Sequence, residues 1–315
     1  MKRICFGFLI LIFMAPFAHT AHAADDNHEA SDMLITANQV YAEVERIEAD
    51  VLSIMKSRKR ASTARIKTIA AHFKPRHVWQ KTYEVLVKIN IFRRAENYPT
   101  ISVSALEPTK TLHPKMLFDQ SQRILTELNL IKLRLNIQHS SPTPPVRKLT
   151  GKTSNDVYAL LDKVSNDLDS LIGYGFTPSD VFSQAIRLNS DIELILQALD
   201  VTDDSFPPLK HKNSQPADAY RAAMQLLQTV NRLQRFLSID VSDFSGLKKD
   251  TIRPADVFEL IGLINAELQP IKFALSLPYA RTPASKHYEA KIPADVEQLI
   301  GWSNNRLQQV HSSSL

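Results

Sequence analysis

Apolar residues recur along this chain three and four positions apart, in eight separate stretches. In the first, Val40, Val44, Ile47, Val51 and Ile54 fall on one face; in the third, Leu117, Ile124, Leu128, Ile131 and Leu135 do the same. A period near 3.6 residues predicts amphipathic helices. Six of the stretches open on proline, at Pro75, Pro114, Pro178, Pro216, Pro254 and Pro293, while Ala37 and Ser154 hold the equivalent place in the other two. Proline suits the first helical turn, where its missing N–H has no partner to lose and its φ is already set. Helices are therefore expected over about 33–55, from Pro75 to about 94, from Pro114, from Ser154 to the Gly173-Tyr174-Gly175 break, and from Pro178, Pro216, Pro254 and Pro293. Aspartate commonly follows the proline by two residues, as in Thr177-Pro178-Ser179-Asp180, beside the free N–H groups of the first turn.

Counted from these eight origins, the copies align. Three residues on, every copy is apolar; four residues on stand Tyr41, Trp79, Phe118, Tyr158, Phe182, Tyr220 and Phe258, with Glu297 in the last copy. Seven aromatics in eight places, in a chain that is 8% aromatic, mark these residues as repeat anchors, and their helical spacing puts them on the buried side. The origins are 38, 39, 40, 24, 38, 38 and 39 residues apart, so the one short step divides them into two sets of four. Corresponding helices are then offset by 141, 141, 140 and 139 residues, which predicts an internal duplication.

The fold expected is all-α: eight long helices in two tandem, internally duplicated four-helix bundles joined by long Pro-containing straps, with one curved eight-helix array as the alternative. The domains are then 33–174 and 175–311, with a disordered tail at 312–315. The straps, among them Ser141-Pro142-Thr143-Pro144-Pro145 and Phe206-Pro207-Pro208, are long enough to return along a whole helix, so parallel neighbours are allowed. The link at Gly173-Tyr174-Gly175-Phe176 is short enough to force a sharp turn or an end-to-end arrangement. Gly262 and Gly301, each eight residues after an origin, are expected to let the seventh and eighth helices approach closely.

Composition changes the setting. Lys2 and Arg3 precede an apolar run to Phe17, and Ala21-His22-Ala23 supplies small residues for a signal peptidase, so residues 1–23 read as a signal peptide and 24–32 as a disordered leader. Cleavage removes Cys5, the single cysteine, and lowers the formal charge from +5 to +3. A periplasmic location is expected, with secretion as the alternative. Disulfides, thiolate metal sites and a lipid anchor on cysteine are then excluded. The mild charge gives no signal for nucleic acid, and no later run is long enough to span a membrane. Lys56, Arg58, Lys59 and Arg60 end the first helix and offer at most a weak contact to an anionic surface.

Candidate chemistry is sparse. The histidines are dispersed, no His-Glu-x-x-His pattern or phosphate-cradling glycine loop appears, and Asp162, Asp167, Asp169, Asp191 and Glu193 read as solvated helix faces. No cofactor, metal or catalytic residue is assigned, and the chain is read as a non-enzyme. Asparagines do recur deep in the helices: Asn189, Asn265 and Asn304 eleven residues after the origin, and Asn231 fifteen after it. They either fix register between helices or hydrogen-bond a small polar ligand held in a bundle. Two functions follow: a scaffold with a cell-envelope protein partner, or a ligand-binding, sensor-type bundle. The architecture resembles tandem helical-bundle sensory modules, without a matching motif; those are tied to transmembrane helices, so this chain would act as a detached binding subunit.

Overall fold

A computed structural model describes residues 35–67, 71–103, 109, 111–137, 149–244, 246–247, 251–284 and 286–312. The expected signal peptide, the leader and Pro142 to Pro145 lie outside these residues. Among the described residues the regular structure is all helix: α1 (Ala37–Ser57), α2 (Pro75–Ala95), α3 (Pro114–Arg134), α4 (Ser154–Ile172), α5 (Pro178–Ala198), α6 (Pro216–Phe236), α7 (Pro254–Ala274) and α8 (Pro293–Ser312). The first helix begins at Ala37 rather than at 33, because Thr36 is extended and its N–H is held by the Gln39 side chain.

Seven of the eight helix starts follow one plan. The backbone N–H of the residue before the origin is taken by the side chain three places on: Thr36 by Gln39, Lys74 by His77, Thr153 by Asp156, Thr177 by Asp180, Gln215 by Asp218, Arg253 by Asp256 and Ile292 by Asp295, at 2.6–2.9 Å; α3, with Met116 at that place, lacks it. Thr177 closes the reciprocal capping box through its hydroxyl, which accepts from the Asp180 N–H at 3.3 Å. Helix ends repeat as well. Lys59, Asn97, Asn136, Asp200, Ser238 and Ser276 all adopt φ of 52–58°, and the next residue donates back into the last turn, as Leu277 N–H does to Lys272 at 2.9 Å. This is the Schellman stop, made here with non-glycine residues.

The helices pack as two rings of four. In the first, α1 and α2 each touch α3 and α4; in the second, α5 and α6 each touch α7 and α8. Consecutive helices α1 and α2 thus sit across a diagonal, as do α5 and α6. Within each ring all four helices run the same way. Lys81 meets Asp162 and Lys88 meets Asp169 along α2 and α4, while Pro178, Pro216, Pro254 and Pro293 gather at one end of the second ring. The straps make this possible by returning the full length of a helix. Strap residues Ser62 and Phe73 bond Asp167 and Asn155 of α4, and Ser205 and Pro208 bond Trp302 and Gln298 of α8. The equivalence of the two rings extends to detail: Lys152 N–H donates to Asn38 in one, and Lys291 N–H to Ser179 in the other.

The rings join through α2 and α7, which run antiparallel: His77 meets Glu267 and Lys81 meets Glu259. The α4–α5 link therefore turns sharply, with Gly173 at φ 93° providing the left-handed residue the reversal needs. Both spine helices are buried on nearly every side. Residues Ile35 to Leu315 form one compact unit. Of the repeat anchors, Tyr41, Trp79, Tyr158 and Phe258 are buried, while Phe118, Phe182 and Tyr220 are half-buried against the core. Gly262 and Gly301 do not bring α7 and α8 together, because those helices lie across the diagonal. Gly262 faces Gln80 and Gln184, and Gly301 faces Pro208 of a strap.

Candidate functional site

One level of the repeat is polar in all eight copies. Thirteen residues after the origins stand Asp50, Lys88, Glu127, Asp167, Asp191, Thr229, Glu267 and Arg306. In a helical bundle this level lies past mid-length, inside, and each group has found a partner. Asp50 pairs with Lys132 across α1 and α3, and Asp191 with Lys272 across α5 and α7, which are equivalent places in the duplicated rings. Glu127 pairs with Arg93, and its counterpart Glu267 takes the Gln234 amide. Asp167 and Asp191 have no solvent-exposed surface, so the reading of these carboxylates as solvated faces is wrong. Periodicity places a residue on a face; whether that face is covered depends on strap paths. Ser62 of one strap covers Asp167, and Thr282 of another covers Asp191.

Arg306 of this layer, and Arg93 and Lys272 five residues further along their helices, also grip the straps. Arg93 Nε donates to the Pro99 carbonyl at 2.7 Å, Lys272 Nζ to that of Ala280 at 2.7 Å, and Arg306 Nε to Asp203 at 2.6 Å. Extended straps need such partners, since they have no ladder of their own.

Between the rings the polar groups continue as a buried seam. Glu267 accepts both Arg76 Nη2 at 2.9 Å and the His77 Nε2–H, while His77 Nδ1 accepts the Lys74 N–H at 2.8 Å. That geometry fixes the neutral tautomer. Burial pushes the His77 imidazole below its ordinary value, against the pull of Glu267. Burial also raises the Glu267 carboxyl, but the His77 and Arg76 contacts outweigh it and hold the group far below the usual carboxylate range. Farther along, Lys81 lies among Glu84, Asp162 and Glu259 at 2.8–3.1 Å, and Tyr158 donates to Glu259 at 2.8 Å. Burial alone would lower the Lys81 ammonium; the three carboxylates raise it well above its ordinary value. Two stacked aromatic pairs flank the seam, Phe73 on Tyr158 at 3.7 Å and Phe176 on Phe258 at 3.9 Å.

The asparagine candidates do not share one place. Asn189 accepts from Ser303 and Arg306 at 3.1 Å on the α5–α8 contact. Asn304 accepts from Thr229 at 2.8 Å on the α6–α8 contact. Asn265 is fully buried in α7 with neither amide atom hydrogen-bonded, and the Asn231 carbonyl is likewise unpaired. Gln80, across from α7, also keeps both amide atoms unpaired, beside a cavity of about 10 Å3 lined by His77, Lys81, Glu84 and Gly262. That is room for about one water.

Sequence reasoning missed His77, Glu267 and the layer to which Glu267 belongs. The signal existed in the repeat register, where position thirteen is always polar and His77 stands where five later copies carry aspartate. Among the described residues no three His, Cys, Asp or Glu side chains are grouped to hold a metal, and no helix is long and apolar enough to cross a membrane. Lys56, Arg58, Lys59 and Arg60 are exposed at the end of α1, and Arg58 pairs with Glu96. No family model matches the chain, and neither a curated protein nor a solved structure shows significant similarity to it.

Proposed function

We propose that the chain is a non-catalytic, rigid scaffold of the cell envelope, exported to the periplasm, whose outer faces contact a protein partner. The observation that carries this reading is how the buried charged groups thirteen and eighteen residues after the helix origins are used. Ions that would serve a ligand or a reaction are spent on one another and on strap carbonyls, bracing two parallel bundles into one body. What remains for recognition is the surface. A scan of the mature protein by thermal unfolding against metabolites and envelope fragments tests it. A small ligand at about a hundred times its Kd adds about 2.7 kcal/mol, which no such scan overlooks. The expected result is no shift from any small molecule; a reproducible stabiliser overturns the scaffold reading. Export is checked by mass spectrometry of the native protein, whose first residue is expected to be Ala24.

The second reading, a small polar molecule held between helices, draws on Asn265 and Gln80, whose amides have no hydrogen-bond partner. The cavity beside Gln80 is far below the roughly 300–1,000 Å3 of ordinary ligand pockets, and the larger clefts, of about 200 and about 510 Å3, are lined by neither Asn265 nor Gln80.

A further inference from the structure

Arg187 of α5 is 1% exposed, and among the described residues no carboxylate pairs with it. Its Nε donates to the Pro283 carbonyl at 2.8 Å and its Nη1 to Gln184 Oε1, while Arg187 Nη2 and Gln184 Nε2 have no hydrogen-bond partner. The guanidinium lies over the Tyr83 ring, 4.0 Å from its centroid, so it ties α5 to the spine helix α2 of the other ring. Asp191, one turn further along α5, is taken by Lys272 at 2.9 Å and by Thr282 at 2.5 Å. A buried cation without a counter-ion is strongly disfavoured.

The first ring shows how the equivalent cation is neutralised. Arg46 stands nine residues after its origin, as Arg187 does, and pairs with Glu43 at 2.8 Å; the same carboxylate oxygen accepts from Gln122 Nε2 at 2.7 Å. The second ring has Gln184 in the place of Glu43 and Gly262 in the place of Gln122. It has kept the cation and exchanged the counter-ion for an amide. The glycine leaves room for that amide and for α2: a Cβ on Gly262 would stand 3.7 Å from Gln184 Nε2 and 3.9 Å from Gln80 Cβ. Gln80 keeps both of its own amide atoms unpaired. The cavity that Gln80 and Gly262 line, about 10 Å3, admits one water-sized group and no polyatomic anion. Its carboxylates, Glu84 and Glu259, are each held by Lys81 at 3.1 Å.

We infer that Arg187, Gln184 and Gln80 hold a monatomic anion of the halide class, chloride in ordinary buffers, in the role that the Glu43 carboxylate fills in the first ring. Water would pair the amides but leave the charge uncompensated. The ion is structural and clamps α5 of one ring to α2 of the other. This goes beyond the scaffold reading and is independent of it, since a metabolite scan at constant chloride does not change the occupancy of the site.

The full mature chain is melted in chloride and in gluconate at equal ionic strength, and crystals grown in bromide are measured at the bromine absorption edge. Chloride is expected to raise the melting temperature by about 2–4 °C, and an anomalous peak is expected beside Arg187 Nη2 and Gln184 Nε2. Gln184→Glu restores the carboxylate of the first ring, so it should raise the melting temperature in gluconate and abolish the difference between the salts. Equal melting of the native chain in both salts, or a chloride effect that survives Gln184→Glu, overturns the site. So does a bromide crystal with only water beside Arg187, a result that does not depend on any variant folding.

Discussion

Ser276 ends α7 with φ 58°, in the left-handed region that costs an L-residue about 1–2 kcal/mol. Five other helix ends carry the same strain on Lys59, Asn97, Asn136, Asp200 and Ser238. Replacing Ser276 by glycine keeps the Schellman bonds and removes the clash, so urea unfolding should show a gain of about 1 kcal/mol. Phe258 makes the opposite case. It is 3% exposed and stacked on Phe176, so Phe258→Ala should cost about 3–5 kcal/mol. An unchanged melting temperature would contradict its place in the core. Only one of the two was legible. The repeat register marks Phe258 as an anchor, but nothing in the identity of a serine announces a left-handed backbone.

At the scale of elements, α2 and α7 depend on one carboxylate. Glu267 receives Arg76, His77 and Gln234 while having no solvent-exposed surface. Glu267→Gln would set an amide against those donors and should cost about 3–5 kcal/mol by urea unfolding, as breaking a buried pair does. The pH dependence has a definite sign. His77 is held below its ordinary 6.5, so its contribution is complete above about that pH and is lost as pH falls through the depressed value. Glu267 is held below 4.5 and acts in the same direction at lower pH. The urea midpoint should therefore stay level down to about pH 6.5 and then fall, and His77→Gln should remove the first part of that fall. A midpoint that rises on acidification would contradict a neutral buried His77. The strap-facing ions are a separate case: Lys272→Met strands Asp191, whereas adding Asp191→Leu should recover much of the loss.

For the whole molecule, the question is whether the two duplicated bundles are independent. Spine helix α7 is buried by α5 and α6 on its own side and by α2 on the other, and much of its length has no face left for water. Cutting between the rings would expose Phe258, Gly262 and Leu263, which line the space against α2, together with the ionic seam. We expect one cooperative thermal transition for the intact chain, and we expect residues 175–312 alone to give a broad transition with exposed apolar surface. Two separate transitions in the intact chain would show that the rings fold apart. The near-continuous apolar run through Leu260-Ile261-Gly262-Leu263-Ile264 is the sequence feature that could have announced this central position, since a helix apolar all round is a buried one.

Seven of the eight helix starts, the aromatic anchors, the all-helical class and the duplication were determined by the sequence alone. Each rests on a short-range rule: proline at the first turn, apolar residues every three or four places, a copy at a constant offset. The parallel course of the helices, the diagonal seating of consecutive ones, and the burial of Asp167, Asp191, His77 and Glu267 were decided only in three dimensions. The straps are long enough to return along a helix or to cross between ends, so chain length left helix direction open. A polar side chain's environment is set by whichever strap or helix covers it, and those partners stand scores to hundreds of residues away: Ser62 for Asp167, Thr282 for Asp191, and Glu267 for His77.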